Sequence, residues 1–139
     1  MIPIGFVRGL LIDVEKGVVK EVDIDFSMKK LEKMLRRKDL ICSEKYIQGV
    51  LYMVVCGYHC VKKPISARWE DGKTFCRGNL YVTKATCGTK GGLDDKDFEM
   101  LGNRISMVRI TDDNVLNREY SAYILYGLSE TPNPTVWSD

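Results

Sequence analysis

Residues 40–55 read LICSEKYIQGVLYMVV, and their reading decides the fold. Two runs rich in β-branched, aromatic and aliphatic residues, Leu40–Ile47 and residues 50–55, flank Gln48 and Gly49, a pair suited to a tight hairpin turn. The second run is nearly all apolar. Strict alternation marks a strand with one wet face, whereas a continuous apolar run of this length marks a strand covered on both. Residues 50–55 therefore belong in the middle of a sheet.

Toward the N-terminus the same chemistry recurs. Residues 6–14 and 18–24 are two β-rich runs separated by Glu15, Lys16 and Gly17, which predicts an antiparallel hairpin with Gly17 supplying a positive φ in a three-residue loop. Val18, Val22 and Ile24 fall on one face of the second run, with Val19, Glu21 and Asp23 on the other. The period then changes. Met28, Leu31, Met34 and Leu35 recur at helical spacing, opposite Lys29, Lys30, Glu32, Lys33 and Arg36, and predict an amphipathic helix over about 28–38 packed on a face of the sheet. Ser27 is its N-cap, Phe26 and Leu31 form a hydrophobic staple, and Arg36, Arg37 and Lys38 occupy its last turn, where the helix dipole favours cations.

Toward the C-terminus, residues 78–84 (GNLYVTK), Ile105–Ile110 and residues 120–126 are further strands. Asp94 caps a second short helix over about 95–101 that ends at Gly102. The expected fold is α+β, a mostly antiparallel sheet of five to seven strands with two helices. Residues 1–128 form one domain, and residues 129–139, with two prolines, an irregular tail.

A chain of 139 residues is about one domain by length and buries roughly two-thirds of its unfolded surface. It shows no apolar run near the ~18 residues of a membrane span and no signal-peptide pattern, and its five cysteines are an odd number, which together point to free thiols in the cytosol. A net charge of +2 is too small for general nucleic-acid binding.

The charge is unevenly placed. Residues 62–90 (KKPISARWEDGKTFCRGNLYVTKATCGTK) carry +5, so the remainder carries −3. Aromatic rings and short polar side chains are interleaved with the cations. Arginines suit bidentate phosphate contacts and an indole or phenol ring can stack a base, so this mixture fits a small anionic ligand with a flat ring. The candidate ligand-binding residues are Lys62, Lys63, Arg68, Trp69, Lys73, Arg77, Asn79 and Tyr81. The competing reading is a wet sheet face with lysines guarding an edge.

Other constellations are weaker. Cys56, His59, Cys60, Cys76 and Cys87 hold ligand chemistry for zinc, but C-x-x-x-C lacks a matching second pair. His59 is the only histidine, and its neighbour Cys60 points to the opposite face of an extended segment, the wrong geometry for a Cys/His dyad. The loop at residues 88–92 has Thr89 before Lys90, the reverse of a P-loop. Asp94, Asp95, Asp97 and Glu99 are explained as acids in and near a first helical turn. No catalytic residue, metal or cofactor is expected.

Residues 8–24 (RGLLIDVEKGVVKEVDI), the amphipathic helix, the hairpin, residues 63–83 (KPISARWEDGKTFCRGNLYVT) and residues 91–101 (GGLDDKDFEML) together resemble a family of small uncharacterised proteins from phages and mobile elements of Gram-positive gut bacteria. The likeness runs over roughly residues 8 to 101. It is carried by the RG-L-I-DV opening, the P-I-S-A at Pro64, the GNL at Gly78 and the acidic helix start after Leu93. The chain departs from the pattern at Cys56, Gly57, Tyr58, His59 and Cys60, where an acidic stretch ending in glycine is usual. The resemblance implies the fold, a phage setting and a host bacterial cytosol. Joined to the basic, aromatic stretch, it leads to a non-catalytic protein that sequesters a nucleotide-like anion such as a host immune signal, as a homo-oligomer. The alternatives are an inhibitor of a host protein and a small nucleotide hydrolase.

Overall fold

The computed structural model describes residues 5–58, 62–84 and 91–132. The elements run β1 (Phe6–Asp13), β2 (Val18–Asp25), α1 (Met28–Leu35), β3 (Leu40–Ile47), β4 (Val50–Gly57), β5 (Ile65–Trp69), β6 (Thr74–Arg77), β7 (Leu80–Thr83), β8 (Gly91–Gly92), α2 (Asp95–Asn103), β9 (Ile105–Ile110) and β10 (Tyr120–Ser129). The sheet is α+β in setting, mixed but mostly antiparallel, in the order β2-β1-β7-β4-β3-β10-β5-β6, with β8 beside β1 and β9 beside β10. Ten strands among the described residues exceed the five to seven expected. The excess comes from the basic stretch, which folds into the short hairpin β5–β6, and from the two-residue β8.

Both expected hairpins form. In β1–β2, Asp13 pairs with Val18, so the loop holds four residues rather than three, and Gly17 sits at φ +65°. In β3–β4, Ile47 pairs with Val50, leaving Gln48 (φ +49°) and Gly49 (φ +78°) as a two-residue turn of the type that matches strand twist. Strand β4 is flanked by β3 and β7, and alternate residues enter two different cores. Tyr52, Val54 and Cys56 face a core shared with Leu10, Ile12, Leu80, Val82, Leu125 and Leu128. Met53 and Val55 face the other, where Leu31 and Leu35 of α1 pack on Val7, Leu11 and Tyr81.

Helix α1 begins as expected, with the Ser27 side chain accepting from the Lys30 amide, but it ends at Leu35, short of residue 38. Arg36 turns into the left-handed region (φ 57°, ψ 42°), its amide reaching Glu32 O, so Arg36, Arg37 and Lys38 lie beyond the helix. A non-glycine residue pays for that conformation, and here the offset is visible: the Arg36 guanidinium binds Asp13 at 2.7 and 2.9 Å and Glu15 at 2.9 Å. Asn79 completes the junction, its Oδ1 accepting from the Val14 amide at 2.9 Å and its amide donating to Leu35 O at 3.2 Å.

Helix α2 opens with a capping box in which Asp94 and Asp97 exchange side-chain and backbone hydrogen bonds. It runs through Gly102 to Asn103, two residues beyond the expected end. None of the described helices is long and apolar enough to cross a membrane.

Candidate functional site

The described cations of the basic stretch are spread over several partners, although Arg68 and Arg77 line one cavity of about 290 Å³ together with Thr74 and Asp113. Among the described residues, four of its cations meet carboxylates, three of which come from outside the stretch: Lys63 pairs with Glu15 at 3.4 Å, Lys84 with Asp97 at 3.4 Å and Arg77 with Asp113 at 2.9 Å. Lys73, 83% exposed, lies 3.9 Å from Asp71 within its own turn. Arg68 Nη1 donates to Gly72 O at 2.8 Å, and exposed Lys62 adopts φ +64°.

Asn79 and Tyr81 are buried. The Tyr81 ring fills space over Gly9, where a Cβ would fall 2.3 Å from its Cζ, and its hydroxyl donates to Val7 O at 3.3 Å. A ring held between β1 and α1 offers no face to a ligand, so Tyr81 is a core residue and Asn79 a junction residue. Strand alternation explains the dispersal, since neighbours in β5, β6 and β7 point to opposite sides and then meet different partners.

Arg77 belongs to a closed network. Its guanidinium spans both oxygens of Asp113 (2.9 and 3.3 Å) and donates to Lys63 O at 3.0 Å. Asp113 also accepts from the Tyr120 hydroxyl at 2.5 Å and from the Val115 and Leu116 amides. The guanidinium beside it, with these donors, holds the Asp113 carboxyl well below the usual carboxylate range. A second buried contact, Tyr52 hydroxyl to Asp97 at 2.9 Å, fixes α2 to β4; burial, with Asp97 adding to it, pushes the Tyr52 phenol up. Both networks anchor loops and helices.

Of the expected site residues, Trp69 leads somewhere else. At the end of β5 the chain turns through Glu70, Asp71 and Gly72 (φ +89°), closed by Gly72 N to Trp69 O at 2.9 Å. Beside it, β10 bulges: Leu125 pairs with Ala67 and Leu128 with Trp69, so three steps of β10 oppose two of β5, and Gly127 takes φ +90°. The Gln48–Gly49 turn and Arg104, at the α2–β9 junction, complete the surround. These pieces, with Tyr126 and Pro132, line a cleft of about 980 Å³. A smaller cavity of about 350 Å³ lies against Trp69, Asp71, Lys73 and Glu130.

No family model matches the chain, and no curated protein or solved structure is significantly similar to it. The cleft has to be judged by its own chemistry.

Its volume is in the range of small-molecule sites. Arg104 is its one cation among the described lining residues and has no carboxylate within 4.0 Å among the described residues. The Gln48 amide, oriented with its oxygen toward the guanidinium, accepts from Nε at 3.3 Å and from Nη2. Trp69 stands edge-to-face with Phe75 (4.9 Å, 84°), with Lys45 Nζ 5.9 Å from each ring. Gly49, Gly72 and Gly127, all at positive φ, leave wall without side chains, which lets a ligand approach backbone closely. The cleft thus offers aromatic surface, one guanidinium, the carboxylate side chains of Glu70 and Asp71, and bare backbone.

Of the candidate metal ligands and nucleophiles, Cys56 and Cys76 are thiols, and no group of three metal-ligating side chains occurs among the described residues. His59, Cys60 and Cys87 lie outside the described residues, as do Lys90 and most of the glycine loop. Arg104 and Tyr126 carried no mark in the sequence. Gly127 inside a strand pattern was the available signal, since an isolated strand glycine points to a bulge.

Proposed function

We propose that the chain is a non-catalytic binding protein whose site is the cleft formed by the Gln48–Gly49 turn, the Glu70–Gly72 turn, the Gly127 bulge and Arg104, and that its ligand is a small ring-bearing, phosphate-type anion. One observation carries this reading: Arg104 lines the cleft beside Trp69 and Tyr126, held by an amide and with no carboxylate within 4.0 Å among the described residues, Glu70 and Asp71 lying elsewhere on the same lining. Arginine presents a planar fork to phosphate oxygens, and an indole or phenol ring stacks on a base without regard to its identity. The resemblance to small phage and mobile-element proteins is the ground for the biology: a homo-oligomer that sequesters a nucleotide-like signal of the host.

The test is native mass spectrometry of the purified protein with and without a nucleotide mixture, followed by calorimetric titration of wild type, Arg104→Ala and Trp69→Ala. Retained, unaltered ligand and weaker binding by both variants are expected. Altered ligand would make the protein a hydrolase, and a co-purifying host protein with no nucleotide bound would make it an inhibitor.

A further inference from the structure

The open edges of the sheet are not alike. Among the described residues β2 pairs with β1 alone, and β9 with β10 alone. Charged side chains guard β2, where Lys20, Glu21, Asp23 and Asp25 make up half of the strand, a composition that discourages pairing with a further strand. β9 (ISMVRI) carries one charged residue, Arg109, whose guanidinium Glu119 already holds at 2.7 Å. Met107, in the middle of β9, is 52% exposed.

One hydrogen bond tells which backbone groups of β9 are open. The Tyr126 amide donates to Arg104 O at 2.8 Å, and residues 104 and 126 are the next step of the register that runs from Ile110 on Tyr120 to Ile105 on Leu125. Hydrogen-bonded and non-hydrogen-bonded pairs alternate along an antiparallel ladder. Ser106, Val108 and Ile110 therefore bond to β10, while the N–H and C=O groups of Ile105, Met107 and Arg109 point away from it. The other side of β10 agrees, since Leu125, opposite Ile105, pairs across to Ala67 of β5.

We infer that β9 is the two-fold edge of a homodimer, in which the β9 of a second copy lies antiparallel beside it with Met107 opposite its own counterpart. A two-fold axis normal to the sheet keeps each residue on the same face in both copies, so outward-bonding residues meet outward-bonding residues. Centred on Met107, the register sets Ile105 against Arg109, and every outward N–H meets an outward C=O. No like charges face each other, and the aliphatic stem of Arg109 lies along Ile105. The two Met107 side chains, half exposed in one copy, cover each other. A six-residue strand is a small interface, so the dimer should dissociate in the micromolar range. This edge would serve the homo-oligomer proposed above, but it depends on no ligand.

Sedimentation velocity over about 1 to 100 µM reads the association, and wild type should pass from monomer toward dimer across that range. Met107→Pro removes an N–H that β10 does not use, so the fold should stand and the dimer should be lost. Val108→Pro removes a bond of the β9–β10 ladder and should instead lower the melting temperature. Met107→Lys sets two ammonium groups face to face at an exposed position and should weaken association about fivefold or more with unchanged circular dichroism; it decides alone if Met107→Pro misfolds. A wild type that stays monomeric to about 100 µM overturns the β9 dimer, and so does a dimer that the Met107 variants leave intact, which would place the interface on another surface. Neither result touches the cleft, whose reading stands or falls on its own titration.

Discussion

Replacing Arg77 with alanine separates a binding role from a structural one. The guanidinium contacts both oxygens of Asp113 at 2.9 and 3.3 Å, and the Asp113 side chain is 1% exposed. Removing it leaves a buried carboxylate with the Tyr120 hydroxyl and two amides. A charged hydrogen bond contributes about 1.5 to 3 kcal/mol, and breaking a wholly buried pair costs about 3 to 5. Because three donors remain and Arg77 itself is 16% exposed, the expected loss is about 2 to 3 kcal/mol. For 139 residues that is a fall in melting temperature of roughly 7 to 10 °C.

The pH dependence sharpens the test. The folded-state pKa of Asp113 is lowered, first by Arg77. Such a group contributes stability that is fully present above its unfolded value of about 3.9 and is lost as pH falls toward the folded value. The gap between wild type and Arg77→Ala should hold from pH 7 to about 5 and narrow below about 4. Calorimetric melts across that range measure it, with Arg68→Ala as a control that should stay within about 0.5 kcal/mol of wild type. Equal small shifts for the two arginines, or a gap that does not close in acid, would refute the network. Ligand affinity in the cleft should be unchanged by Arg77→Ala.

Gly9→Ala places a Cβ 2.3 Å from the Tyr81 ring in a filled core and should destabilise by about 1 to 3 kcal/mol; Gly9→Ala/Tyr81→Leu should recover part of the loss, and thermal melts of the two decide. Leu31→Ala and Leu35→Ala should cost about 2 to 5 kcal/mol, whereas Lys33→Ala and Met28→Ala should be near neutral, Met28 being 49% exposed. Equal shifts in all four would mean that α1 packs through another face. The raised Tyr52 phenol should ionise after exposed tyrosines, so Tyr52→Phe should leave the absorbance titration near pH 10 unchanged; a lost early step would show that Tyr52 is not buried against Asp97.

What the sequence made legible was whatever is decided locally. Residues 50–55 announced a strand covered on both sides, and β4 enters two cores with alternate side chains. Ser27, Asp94 and the turn glycines marked element ends through backbone geometry that neighbours alone determine. The failures were long-range. At the end of α1, Arg36 meets Asp13, 23 residues away, and Leu35 O meets Asn79, 44 residues away, and a helical pattern records neither partner. The short strands β5 and β6 carry mixed polar residues because half of their side chains meet partners elsewhere, so their periodicity looks like charge interleaved with rings.

The same difference explains why the cations of the basic stretch meet acids from distant parts of the chain. Net charge over a segment is a sum along the chain, whereas a ligand meets the potential at one place, after folding has brought distant charges together. The acids that give the rest of the chain its −3 include Glu15, Asp97 and Asp113, which meet cations of the basic stretch, so the excess is largely cancelled in the fold. Arg104 sits in no charged run, yet the α2–β9 junction places it where only an amide meets its guanidinium among the described residues. Its cleft requires that β10 pair with β3 on one side and with β5 on the other, with a bulge at Gly127 opening the wall between. Those pairings join residues some 60 to 80 positions apart, and no pattern within a strand specifies its partner in a sheet. On the binding reading proposed above, an anion's affinity should therefore be traced to Arg104, a cation with no carboxylate within 4.0 Å among the described residues, and not to a run of cations in the sequence.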